Sequence, residues 1–164
     1  MSANLFRKYI DAIPKPVMMK LFNLWRPYRG AGIRLTKVSD DQLYIRVEMP
    51  LTWYNKNYVG TQFGGSLYAM TDPFYMFQLL QALGKDYIVW DKAASIDFKR
   101  PGRGLVYAEF QWTQDEISDV KSKADELGKY VFDKPVEIKD LEGNVIAEVI
   151  KTLYVRRKDA KRPT

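Results

Sequence analysis

The chain is predicted to fold as an α+β domain, an antiparallel sheet with one long, segregated, mostly buried helix. Three features point there. Six segments alternate apolar and polar residues at the period of two that a half-buried strand requires. One segment, GGSLYAMTDPFYMFQLLQAL from Gly64 to Leu83, is too long and too apolar for a strand. Four of the six strand segments follow that helix with only one further helix among them, so the strand-helix alternation of a parallel sheet is missing.

The elements follow in order. Residues 3 to 25 place Leu5, Phe6, Tyr9, Ile10, Ile13, Val17, Met18, Leu21, Phe22 and Trp25 at helical spacing, with Arg7, Lys8, Asp11, Lys15 and Lys20 between them. Pro14 and Pro16 disfavour helix just before themselves, which predicts two short helices with a break near residues 13 to 15. Their apolar stripe suits packing outside the sheet or on a partner subunit; a membrane surface is the other partner a basic amphipathic segment can take. A turn over Arg29-Gly30-Ala31-Gly32 leads into strands Ile33 to Val38 and Leu43 to Met49, a hairpin joined by Ser39-Asp40-Asp41-Gln42. Pro50 closes the second strand, and an irregular polar stretch through Trp53, Asn55 and Asn57 reaches G-T-Q-F-G-G at 60 to 65.

The apolar helix then runs to Leu83, with Gly84 as its stop. Pro73 has no amide hydrogen for the carbonyl of Ala69, so a bend is expected near Asp72. Strands Tyr87 to Lys99, Leu105 to Thr113, Tyr130 to Ile138 and Val145 to Val155 follow, with turns at residues 100 to 104 and 141 to 144. Gln114 to Leu127 is the remaining helix, with Asp115 and Glu116 in its first turn and Gly128 at its end. This divides the chain into an N-terminal helical extension (1–29), one domain (30–157) and a basic tail (158–164).

Length and composition bound the function. With 164 residues, 46% apolar and 28% charged, the chain suits one domain with a real core. No uncharged apolar run approaches the ~20 residues of a membrane helix, and Arg7, Lys8 and Asp11 interrupt any signal-peptide pattern, so the expected compartment is the cytoplasm. Histidine and cysteine are both absent. That removes thiol nucleophiles, disulfides, imidazole or thiolate metal sites and every imidazole-based triad, and no oxygen-rich calcium loop is visible, so no metal is expected. The net charge of +6 is carried by the ends. Residues 1 to 37 hold eight Lys/Arg against Asp11, whereas residues 38 to 155 hold 13 basic and 18 acidic side chains. A phosphate-tracking groove puts positive charge on the folded surface itself, so nucleic acid is not the expected partner.

The chemistry concentrates around the apolar helix. Gly64 and Gly65 stand at its start, where unpaired backbone amides favour developing negative charge and glycine allows close approach. Such a place suits the oxyanion of acyl transfer; the structural alternative is a tight entry into a buried helix. A phosphate loop is excluded, because Ser66 follows the glycines with no lysine between. Asp72 lies about two turns on, among Met70, Thr71, Pro73, Phe74 and Tyr75. Desolvation there should raise its pKa towards the range of a general base, or else Asp72 simply caps a second helix that begins at Pro73. Trp53, Tyr54, Phe74 and Phe77 suit an apolar pocket or plain core packing.

The order of elements and the motif Asn57-Y-V-Gly60-Thr61-Q-Phe63-Gly64-Gly65-S-L-Y-A-M-T-Asp72 resemble the hotdog-fold thioesterases, including their phenylacetyl-CoA thioesterase-like branch. There an asparagine precedes a His-Gly-Gly, and an aspartate follows nine residues after the histidine. The runs YVGTQFGGSLYAMTDPFYM and DYIVWDKAASIDFKRPG are more similar still to short hotdog proteins described as tetrameric acyl-CoA thioesterase-like. The resemblance covers residues ~30 to 155 and implies a curled antiparallel sheet around the helix, hydrolysis of an acyl-CoA, and no cofactor beyond the coenzyme A of the substrate. It implies that Asp72 activates water across a subunit interface on a thioester held by the partner's helix start, hence a homodimer or homotetramer. A long unpaired edge strand calls for a partner independently.

The resemblance further assigns Asn57 to the water or the carbonyl, with a loop-turn role as the alternative. It makes Thr61 and Phe63 substrate contacts. It places Lys99, Arg100 and Arg103 on the nucleotide phosphates, against a merely solvated turn. Phe63 departs from the pattern, standing where histidine is expected. That departure keeps a second function in view, a hotdog protein that binds an acyl chain or acyl-CoA without turnover. The basic ends permit a third, a nucleic-acid or membrane-surface module.

Overall fold

Residues 15–159 are described by the structure, a computed structural model. The first of the two expected N-terminal helices and most of the basic tail lie outside these residues. Helix α1 (Lys15–Leu24) is followed by the short α2 (Arg26–Ala31). The turn expected at Arg29 to Gly32 is instead the end of α2: a proline opens this helix and Gly32, at φ 78°, closes it in the left-handed region. The apolar stripe of α1 is split. Phe22 packs on Tyr28, Phe74 and Phe77, while Val17, Leu21, Leu24 and Trp25 are exposed. Asn23 fastens α1 to the sheet by accepting from Leu35 N–H at 2.7 Å and donating to Leu35 O at 3.2 Å.

Strands β1 (Arg34–Val38), β2 (Tyr44–Met49), β3 (Tyr87–Phe98), β4 (Val106–Gln111), β5 (Lys129–Asp140) and β6 (Val145–Arg157) form one antiparallel sheet in the order β1-β2-β4-β5-β6-β3. The expected six strands are all present. Their inward rows follow from alternation: Ile45, Val47 and Met49 on β2, and Val149, Leu153 and Val155 on β6, are buried. A register shift between Asp91 and Ala93 interrupts the β3–β6 ladder, an irregularity that re-aims side chains at a strand edge.

The expected single bent helix is two helices, α3 (Gly64–Ala69) and α4 (Phe74–Leu83). Proline at position 73 explains the break, since it removes the amide that would continue the ladder. The Ala69 carbonyl does find a donor, Asp72 N–H at 3.2 Å, in a tighter turn that ends at the cis Asp72–Pro73 peptide. The buried faces of α3 and α4, with Leu67, Met70, Phe74, Tyr75 and Leu79, fill the concave side of the curled sheet against Phe110, Ile138 and Leu153. Phe74, Phe110 and Leu79 are fully buried, so Phe74 is core and not pocket; Trp53 and Tyr54 pack edge to face on the surface. Helix α5 (Gln114–Leu127) starts with a capping box of Thr113 and Glu116 and buries Ile117, Val120 and Ala124.

Candidate active site

A cleft of about 330 Å³ opens where the loop before α3 meets the end of β3. Asn57, Thr61 and Gln62 form one wall, Gly64 and Leu67 the floor, and Phe98, Lys99, Arg100, Pro101 and Gly102 the other wall. The loop is built by its amides. Asn57 Nδ2 donates to Thr61 Oγ1 at 2.9 Å and to Gln62 O at 3.3 Å, and Asn57 Oδ1 accepts from the N–H groups of Val59 and Thr61. Both ends of the Asn57 amide are therefore used within the loop, and of its two expected roles the geometry matches the structural one. Gln62 ties the loop down: its Nε2 donates to Met49 O at 3.0 Å and Gly104 O at 2.9 Å, while its Oε1 is buried with no hydrogen-bond partner among the described residues.

At the start of α3, Ser66 N–H and Leu67 N–H both donate to Phe63 O, and the amides of Gly64 and Gly65 have no acceptor among the described residues. Two adjacent donors are thus unpaired. The side-chain positions of both glycines are taken by neighbouring rings. A Cβ on Gly64 would meet Phe98 Cζ at 3.0 Å, and one on Gly65 would meet Phe63 Cε1 at 2.6 Å. The glycines make room for two aromatic rings, and both rings are about half exposed.

Asp72 sits beyond the other end of α3 and does not line the cleft. It caps nothing: the N-cap of α4 is Pro73, and no side chain caps that helix. Its Oδ1 accepts from Lys151 Nζ at 3.0 Å, and the same ammonium stands 2.9 Å from Asp91 Oδ2. Lys151 is 1% exposed, whereas the Asp72 side chain is 50% exposed. The expected upward pKa shift is reversed. Burial pushes Asp72 up, but the neighbouring Asp91 carboxyl and the Lys151 ammonium outweigh burial and hold it below the ordinary carboxylate value. Asp91 goes the other way, raised to about 6 by burial and by Asp72 against the opposing pull of Lys151.

The expected residues therefore fall in two places. Asn57, Thr61, Gly64, Lys99 and Arg100 share the cleft; Gly65 and Phe63 lie at its rim on the helix start; Asp72 is separate, and Arg103 is exposed outside the lining. The Lys99 ammonium is already paired with Asp97, with Glu148 at 3.7 Å, and Arg100 Nη1 donates to Asn144 Oδ1 at 3.0 Å. Lys151, Asp91 and Gln62 were not singled out from sequence. For Lys151 a signal existed: in V-I-K-T-L-Y-V it occupies the inward phase of an alternating strand, where an apolar residue is expected.

Comparison with known proteins agrees with this architecture. The pattern of a domain of unknown function, DUF4442, matches residues 15–155. No curated protein matches the sequence. Among solved structures, a protein of unknown function from Pseudomonas aeruginosa described as a probable thioesterase is 21% identical with a TM-score of 0.76, over 88% of this chain and 97% of that one. A thioesterase from Haemophilus influenzae is 16% identical at 0.62, over 88% and 92%. The PaaI protein of the E. coli phenylacetic acid degradation operon is 16% identical at 0.56, over 87% and 91%. These likenesses show the fold, the curled-sheet hotdog fold.

Proposed function

The chain belongs to the DUF4442 family, and from that premise we propose that it is a thioesterase that hydrolyses acyl-CoA. The observation that carries the reading is the ionised, accessible Asp72 held by a buried lysine one short helix away from two unpaired backbone amides. The thioester carbonyl lies against the Gly64 and Gly65 amides, where each good donor to the oxyanion is worth about 3 kcal/mol. Asp72 takes a proton from water as the water oxygen bonds to the carbonyl carbon. Likeness to proteins described as thioesterases supports this chemistry.

Helix α3 alone spans about 9 Å at 1.5 Å per residue, and Asp72 lies past its far end. That separation supports a site completed by two subunits, with Asp72 of one facing the helix start of the other. The sheet edge formed by the 12-residue β3, carrying exposed Trp90 and Phe98, supports a homodimer or homotetramer. The nucleotide phosphates of coenzyme A meet Arg100, then Lys99 and Arg103, at the cleft mouth. Asn57 and Thr61 shape that cleft, beside the half-exposed rings of Phe63 and Phe98.

One observation favours binding without turnover: the Phe63 ring covers Gly65 where the resemblance expects an imidazole. Thiol release by purified protein from a panel of acyl-CoAs separates the two. Steady turnover supports the hydrolase; saturable binding without thiol release replaces it with the binding protein.

A further inference from the structure

Lys151 enters the inward row of β6 between Val149 and Leu153, so its ammonium is shut away from water. One carboxylate would balance it, yet two converge on it, Asp72 at 3.0 Å and Asp91 at 2.9 Å. With both ionised the cluster carries one uncompensated negative charge in a largely buried place. Asp91 bears that deficit: both its carboxyl oxygens are buried, and neither accepts a hydrogen bond from a donor among the described residues. Asp72 and Asp91 share that one ammonium, so a single proton taken up by the pair removes the excess charge. Among the described residues the surroundings supply no second cation. Tyr68 of α3 presents its ring 5.6 Å from Lys151 Nζ, and Tyr28 of α2 donates its hydroxyl to the Asp72 backbone oxygen. Across the ladder on β5 stands Lys134, whose ammonium is taken by Glu116 at 2.7 Å, and on β3 the paired residue is Ala94.

We infer that Asp72, Asp91 and Lys151 form one unit that holds a single transferable proton, with Asp72 as its accessible oxygen, Asp91 as the buried resting place and Lys151 positioning both. This rests on the reading of Asp72 as the base of a thioesterase. As the water oxygen bonds to the thioester carbon, its proton passes to Asp72 and on to Asp91. When the carbon–sulfur bond breaks, the proton goes to the departing thiolate, and the unit returns to its starting state. A unit already filled has no vacancy, so turnover falls as pH drops through the range where the pair takes up its proton.

The direct test is a carboxyl ¹³C NMR titration of the whole, substrate-free protein. The wild type is expected to show an aspartate carboxyl with a midpoint near pH 6 and a smaller inflection in a second aspartate at the same pH. Asp91→Asn, checked for an unchanged fold, is expected to lose both. Absence of any aspartate titrating between pH 5 and 7 in the wild type, or a midpoint near 6 that survives Asp91→Asn, overturns the unit. This readout needs no turnover, so a protein that releases no thiol overturns the hydrolase reading while the titration still decides the unit. In kinetics, the acid limb of kcat/KM is expected near pH 6 for the wild type and for Asp91→Glu, and below pH 5 for Asp91→Asn. An acid limb that Asp91→Asn leaves in place also overturns it.

Discussion

Lys151 and Asp72 form a 3.0 Å ion pair between positions 79 residues apart in the chain, and the lysine end of it is almost wholly buried. The pair joins β6 to the turn between α3 and α4, and so fixes the carboxylate that the mechanism uses. Lys151→Met keeps the volume and removes the charge, leaving Asp72 and Asp91 facing each other uncompensated. Breaking such a buried arrangement costs about 3 kcal/mol. Urea unfolding at pH 8 is expected to show that loss, and a smaller one at pH 5, where protonation relieves the carboxylates.

Asp91 gives a pH dependence of stability with a definite sign. Its folded pKa, about 6, is above the ordinary carboxylate value, so its contribution is intact below about pH 4 and is lost as pH rises to 6. Asp91→Asn removes that loss. The variant is expected to match the wild type near pH 4 and to exceed it by about 3 kcal/mol well above pH 6, measured by urea midpoints across pH.

Asn57 makes four hydrogen bonds within its loop. Asn57→Ala is therefore expected to cost about 2 kcal/mol of stability and to raise KM together with lowering kcat, because the cleft wall loosens. An unfolding midpoint equal to wild type, with activity lost, would instead restore Asn57 as a direct contact to water or carbonyl.

The fold was legible because its signals are local. Alternation in V-E-I-K and V-I-A-E-V-I, the apolar run after Gly64, and Asp115 with Glu116 at a helix start each depend on neighbours a few residues away. Pro73 likewise marked the break, although a bend and two separate helices look alike in sequence. Gly64, Gly65 and Asp72 stood out by type and spacing. What the sequence could not supply was Asp72's partner, since an ion pair between a helix turn and the last strand exists only once the sheet is closed. Without Lys151 and Asp91, burial alone set the expected pKa direction of Asp72, and it was the wrong direction. The ring against Gly64 was hidden for the same reason, because Phe98 arrives from β3.

The two charged groups of the cleft differ in what already holds them. Lys99 is engaged by Asp97 and Glu148, whereas Arg100 meets a neutral amide. Arg100→Ala is expected to raise the Kd for an acyl-CoA several-fold more than Lys99→Ala, and to remove most of its dependence on salt, since exposed charges are screened over ~8 Å at physiological ionic strength. Acyl-pantetheine, which lacks the nucleotide, should bind the variant and the wild type alike. Equal effects on both ligands would take Arg100 out of the phosphate contact.

The central claim is that Asp72 does the chemistry. Its most direct test is steady-state thiol release by Asp72→Asn on the acyl-CoA that the wild type turns over fastest, with folding, oligomeric state and substrate binding measured alongside. Asparagine keeps the shape and can still accept from Lys151, but it cannot take a proton from water. The account predicts a fall in kcat of ~100-fold or more with substrate affinity nearly unchanged; turnover within a few-fold of wild type would contradict it.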